Sequence, residues 1–135
     1  MNWQLHHAMI PAFDMQRTQG FFADVLGMAP VHVPPTNDPI NPAGPEYLLL
    51  YVDDDGRELH VVKPVPNFSQ RNGVPINPTM GHVAFTVDDL DAAKRQLDRG
   101  GWTYGDTGAI GPGGMKRIYV HDPHMNVIEL NQRPV

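Results

Sequence analysis

The stretch Leu5-His6-His7-Ala8-Met9-Ile10-Pro11-Ala12-Phe13-Asp14 has a counterpart 75 residues later, Met80-Gly81-His82-Val83-Ala84-Phe85-Thr86-Val87-Asp88-Asp89. In each, a histidine opens an apolar stretch and an aspartate follows seven residues on. This pattern reads as a strand running into a capped helix. Asp14 is placed to cap a helix carrying Phe21, Phe22, Val25 and Leu26, which Gly27 ends. Asp88 or Asp89 caps a second helix carrying Leu90, Ala93 and Leu97, closed by Gly100-Gly101.

Three strand-like pieces follow each helix. In the first half they are Ala29–Val33, Glu46–Val52 and Arg57–Lys63, with Asp53-Asp54-Asp55-Gly56 as a hairpin turn. In the second half they are Trp102–Tyr104, Met115–His121 and Asn126–Asn131, with Asp122-Pro123 as the turn signal. A period this long indicates two related modules rather than a solenoid. The expected fold class is α+β, with two βαβββ modules at about residues 5–63 and 80–132 in one domain. The segment Pro64–Pro78, rich in proline and asparagine, reads as the linker between them.

The composition narrows the function. The chain has 135 residues, 41% of them apolar and 19% charged, as in a folded single domain. Ten basic and fifteen acidic residues leave a net charge of −5, which argues against nucleic acid or an anionic membrane as partner. Without cysteine there is no disulfide, thiolate metal site or thiol nucleophile. No run approaches the about 20 apolar residues of a membrane helix, and the start carries no secretory pattern, so the cytoplasm is the expected location.

Side chains alternate across a strand, so the faces can be read. Ala8, Ile10 and Ala12 share a side suited to a helix, and His7 and Met9 point the other way. Val83, Phe85 and Val87 oppose His82, Ala84 and Thr86. Leu59 and Val61 oppose Glu58, His60 and Val62; Ile128 and Leu130 oppose Val127, Glu129 and Asn131. The first and last strands of each module thus put His7, His60, His82 and Glu129 on the face away from the helices. If the sheets curl around a shared cleft, these four converge. A carboxylate between Ile128 and Leu130 calls for a partner or an ion. By the same alternation His6 faces the helix side, while His121 and His124 flank a turn and are solvated. Arg117 and Tyr119 share the cleft face of their strand, placed to bind an anion and to donate a proton. Pro64–Pro78 and the glycine-rich Gly105–Gly114 border the cleft, the latter as a lid.

The chain resembles the vicinal oxygen chelate superfamily, which includes glyoxalase I, extradiol dioxygenases, methylmalonyl-CoA epimerases and fosfomycin- and bleomycin-resistance proteins. Three blocks carry the likeness: His7–Gly27, Gly81–Gly101, and Tyr119–Glu129 with its Asp122-Pro123 turn. The resemblance implies curled mixed sheets forming a cleft that holds one divalent metal ion. By position it implies His7, His82 and Glu129 as ligands, His60 at the remaining place, and Glu58 as the fallback. Met125 stands where the family turn commonly has glycine, so that turn is expected to differ. The extradiol signature needs a histidine shortly before the Tyr119 strand, and Gly108–Gly114 has none.

Imidazoles with a carboxylate suit Fe²⁺, Mn²⁺, Ni²⁺, Co²⁺ or Zn²⁺. The expected activity is that of a metal-dependent, glyoxalase-like isomerase or lyase. It would chelate adjacent oxygens of a small substrate and stabilise an enediolate, with Glu129 as base. One alternative is a non-haem iron dioxygenase; another is a non-catalytic small-molecule binding or resistance protein. A homodimer is expected, with the modules paired within a chain or swapped between two.

Overall fold

The computed structural model describes residues 1–34, 37–42 and 44–135. Among the described residues there are seven strands: β1 (Trp3–Pro11), β2 (Leu48–Val52), β3 (Glu58–Val62), β4 (His82–Val87), β5 (Tyr104–Gly105), β6 (Lys116–His121) and β7 (Val127–Gln132). Three helices accompany them: α1 (Met15–Leu26), α2 (Phe68–Asn72) and α3 (Leu90–Gly100). The strands form one open mixed sheet in the order β2-β3-β1-β4-β7-β6-β5. Among the described residues, no helix is long and apolar enough to cross a membrane.

The two modules meet at the centre, where β1 runs antiparallel to β4. Each module then adds its last strand parallel to its first: β3 beside β1, β7 beside β4. The sheet therefore has an approximate two-fold axis between β1 and β4, and the modules pair within one chain. The long helices begin and end where the sequence indicates. Asp14 accepts from the Arg17 N–H at 3.0 Å, and Asp89, not Asp88, accepts from the Ala92 N–H at 2.9 Å. Such a cap is worth about 1 kcal/mol. Gly27 and Gly101 end the helices at φ 65° and 72°, a left-handed geometry that glycine adopts without steric cost.

Several local expectations give way to other forces. Ala29–Val33 is not a strand; only Val31 bridges to Leu50, through one N–H···O bond of 2.8 Å. Pro30 and Pro34 flank it and have no N–H to extend the ladder. The piece at Trp102–Tyr104 is a two-residue strand, Tyr104–Gly105. The helices leave the outer face of β1 uncovered. Met15 and Phe22 of α1 pack on Leu49, Tyr51 and Val61, and Leu90 of α3 packs on Val87 and Ile118. Ala8 and Ile10 are thus left exposed, Ile10 at 38% and Trp3 at 65%, and Phe21, Val25 and Leu26 face outward as well.

The linker is an element of the core. Phe68 of α2 and Ile76 are fully buried, and with Ile40 they close over Tyr119 on the inner face of the sheet. The segment that carries Ile40 is tied down by Asp38, which accepts from the Ile40 N–H and the Asn41 side chain, both at 3.0 Å. Asp38 also pairs with the buried Arg117 of β6. Together these residues form a roof over the inner face.

The Asp122–Asn126 turn has Met125 at a left-handed backbone position. Met125 adopts φ 67° itself, and Asp122 accepts from the His124 and Asn126 N–H groups at 2.9 Å. A left-handed non-glycine residue costs about 1–2 kcal/mol, offset by glycine's larger entropy loss on folding. Met125→Gly is expected to raise stability by about 1 kcal/mol in urea unfolding. Asp38→Ala, which strands the Arg117 charge, is expected to lower it by about 3–5 kcal/mol in the same measurement.

Candidate metal centre

β1 and β4 bring His7 and His82 together because they are antiparallel and in register, with Met9 opposite His82 and His7 opposite Ala84. Their Nε2 atoms lie 3.1 Å apart. β7 runs parallel to β4 and sets Glu129 beside Ala84. Glu129 Oε1 is 3.4 Å from His82 Nε2 and 3.8 Å from His7 Nε2. All three residues are buried, and they form a group that could hold a metal ion. An ion about 2.1 Å from each donor separates them by about 3.0 Å at right angles and about 3.4 Å in a tetrahedron. The donor set fits.

The groups around the trio aim its lone pairs inward. His82 Nδ1 donates to the Pro78 carbonyl at 2.8 Å, which orients the ring with Nε2 toward His7 and Glu129. Glu129 accepts from the Tyr119 hydroxyl on Oε1 at 2.9 Å and from the Asn131 side chain on Oε2 at 2.6 Å. Burial drives the His7 pKa down to about 2 against the attraction of Glu129, so this imidazole is neutral. Burial opposes charge on Glu129 too. There the carboxyl is nevertheless held well below its usual range, with the positive charge of Arg117 among the groups that favour the ionised form. A neutral imidazole beside an ionised carboxylate is the state in which both can bind a cation. Tyr119 is pushed far above its ordinary value by burial and by the Glu129 charge, so it stays a donor.

The fourth expected ligand stands apart from the trio. His60 stacks flat on His7, with ring centroids 3.8 Å apart and planes 10° apart, and its Nε2 meets Glu58 Oε1 at 2.7 Å. Arg117 is on the inner face, but Asp38 already occupies its guanidinium, so it is not presented to an anion in this form. Gly111 lies against that guanidinium, where a Cβ would collide with it.

His6 does not face the helices. The β1–β4 register shifts between Leu5 and His7, so His6 is the extra residue of a bulge. Its Nδ1 lies 2.7 Å from His7 Nδ1, and its Nε2 lies 3.9 Å from Glu58 Oε2. Period-two reading carries no signal for a bulge, so His6 and its link to His7 escape sequence analysis. Asp38 escapes it too, being a loop residue distant in sequence from Arg117. Beside the trio is a cavity of about 610 Å³ lined by His6, Leu50, Glu58, Met115 and Arg133 among others.

The sequence profile of the Glyoxalase/Bleomycin resistance protein/Dioxygenase superfamily matches residues 4–130. The chain belongs to this superfamily. Solved structures agree on the fold. Methylmalonyl-CoA epimerase from Mycobacterium tuberculosis superposes with a TM-score of 0.67 at 20% identity, over 97% of this chain and 88% of that one. A variant of the Streptomyces coelicolor epimerase, in complex with 2-nitronate-propionyl-CoA, gives 0.63 at 18% identity, over 98% of both chains. A superfamily member from Vibrio splendidus 12B01 gives 0.60 at 16% identity, over 97% of this chain and 99% of that one. No curated protein sequence matches the chain significantly. Members of the superfamily typically bind a divalent metal, and the trio is one of two groups among the described residues with the donors for one, the other being His6, His7 and Glu58.

Elemental analysis after reconstitution and exhaustive dialysis is expected to find one divalent ion per chain, and none in His82→Ala or Glu129→Ala. Asn131→Leu should keep the ion with affinity lowered about 10- to 100-fold, because it removes one of the two donors that orient Glu129.

Proposed function

We propose that this superfamily member is a metal-dependent enzyme that takes two adjacent oxygens of a small substrate and moves a proton through an enediolate or enolate, as an isomerase or lyase. The observation that carries this reading is the buried trio His7, His82 and Glu129, with donor atoms 3.1–3.8 Å apart. Fe²⁺, Mn²⁺, Ni²⁺, Co²⁺ and Zn²⁺ are the ions this donor set suits. When bound, the ion supplies Lewis-acid stabilisation of the negative charge that develops on a substrate oxygen.

The chain's own groups do the rest. Glu129 is the ionised carboxylate nearest that position, and it takes the proton from the carbon beside the carbonyl. Tyr119 donates to Glu129 Oε1 and keeps the carboxylate aimed, and Glu129 returns the proton it took. Arg117 adds positive charge behind Tyr119, its guanidinium carbon 6.0 Å from the ring centre. The roof of Ile40, Phe68 and Ile76 excludes water, which strengthens each of these interactions. Its opening admits the substrate, as a lid does. A homodimer belongs to the same reading: Trp3, Leu5 and Ile10 leave an exposed apolar strip on the outer face of β1 for a second copy to cover.

A second reading has its own observation. With His60 turned to Glu58, the donors are two histidines and one carboxylate, the set that non-haem iron oxygenases use.

The test is a panel of α-hydroxyketones, hemithioacetals and 2-methylmalonyl thioesters in D₂O, followed by proton NMR with metal-loaded protein. Exchange at the carbon beside the carbonyl is expected for one of these classes. Glu129→Gln, read under saturating metal, should slow it by about 10²–10⁴-fold. Oxygen uptake with a catechol by the iron form, without proton exchange on any panel member, decides for the oxygenase. Protein that takes up no metal at all is a binding protein instead.

A further inference from the structure

We propose that Asp38 occupies the place of a substrate carboxylate, and that Arg117 selects substrates carrying one beyond the two oxygens offered to the metal. The inference rests on the enzyme reading above for where the substrate lies, and it names the substrate class. It starts from the position of Arg117. On β6, Arg117 pairs with Asn131 of β7, and Tyr119 pairs with Glu129. Alternation puts Arg117 and Tyr119 on one face, one pleat apart. An anion held by Arg117 therefore lies next to the trio, on the inner face that the substrate must occupy.

The guanidinium is buried but only half used. Its side chain is 2% exposed, and that of Asp38 is fully buried. Asp38 Oδ1 meets a single terminal nitrogen of Arg117, Nη2, and also accepts from the Ile40 N–H. Asp38 Oδ2 is turned to the Asn41 side chain. Arg117 Nε is buried and has no partner among the described residues, and Asn41 Oδ1 has none either. Gly111 covers the Nη1 side. A guanidinium grips a carboxylate best through two parallel N–H···O bonds. Asp38 accepts one of them, because its second oxygen serves its own loop. A free carboxylate has no such tie and can take Nε and Nη2 together.

Asp38 also belongs to the roof and not to the sheet. It ties down the segment that carries Ile40 over Tyr119. Substrate reaches the inner face when that roof moves, and the movement withdraws Asp38 from Arg117. A buried cation stripped of its partner is strongly destabilising. A ligand that brings a carboxylate replaces what Asp38 removes, and a neutral ligand does not. The ion pair thus makes opening conditional on the charge of what enters. Arg117 determines specificity in this account, and Asp38 is a built-in competitor.

The experiment compares 5-hydroxy-4-oxopentanoate with its amide. Both carry the same hydroxyketone, and they differ in charge at the far end. Binding is measured by calorimetry on the full chain, Co²⁺-loaded and metal-free, with circular dichroism confirming the fold of each variant. The unsubstituted chain should bind the acid about 10- to 100-fold more tightly than the amide. Asp38→Asn keeps an oxygen for Arg117 without the competing charge. It should tighten the acid about tenfold further and leave the amide within about twofold. Asp38→Asn with Arg117→Gln should bind the two alike. Equal affinities in the unsubstituted chain, no gain in Asp38→Asn, or a preference that outlasts Arg117→Gln each overturn the proposal, and the ion pair is then a strut. Absence of binding to both compounds in every form overturns it as well. If Co²⁺ alters neither affinity while the preference and its loss in the double variant remain, the metal reading fails and the carboxylate site stands.

Discussion

The antiparallel pairing of β1 with β4 is the contact on which the site depends. Neither module has a complete donor set. His7 and His82 are 75 residues apart in the chain, and the register that sets Met9 opposite His82 brings their Nε2 atoms to 3.1 Å. Because side chains alternate with a period of two, a slip of one residue would turn one histidine to the outer face. That register must therefore be held firmly, and the bulge at His6 contributes to it. Leu5 stays opposite Phe85 on one side of the bulge, and His7 falls opposite Ala84 on the other.

Burial of the trio has an electrostatic cost that the surrounding polar groups answer one by one. The Pro78 carbonyl, the Tyr119 hydroxyl and the Asn131 amide each meet one residue of the trio. A second network lies behind the first, where Asp38 anchors Arg117 and the guanidinium faces the Tyr119 ring. The roof and the site are thus mechanically connected: the loop that carries Ile40 over Tyr119 is fastened by the same ion pair that positions the charge behind it.

Much of this was legible in the sequence because it rests on short-range rules. The repeated histidine and aspartate, the capping aspartates and the terminating glycines all act within a few residues. The period-two pattern placed His7, His82 and Glu129 on one face, as observed. What escaped depends on contacts that no local pattern encodes. The bulge at His6 breaks the alternation without a compositional mark. Pro30 and Pro34 reduce an expected strand to a single bridge. The burial of Phe68 and Ile76 makes a segment of linker composition part of the core. His60 meets Glu58, two residues away on the same strand, at 2.7 Å, a pairing the alternation does not anticipate because it treats both as equal candidates.

The two-fold axis through the sheet has a consequence for chirality. Two identical modules meeting about such an axis would surround the ion with identical halves, and the two oxygens of a bound molecule would be indistinguishable. Fusing the halves into one chain lifts that requirement. Here one half presents Glu129, backed by Tyr119 and Asn131, and the other presents His60, hydrogen-bonded to Glu58. The two ends of the site therefore differ in chemistry, a carboxylate on one side and an imidazole on the other, although the backbone around them is nearly symmetric.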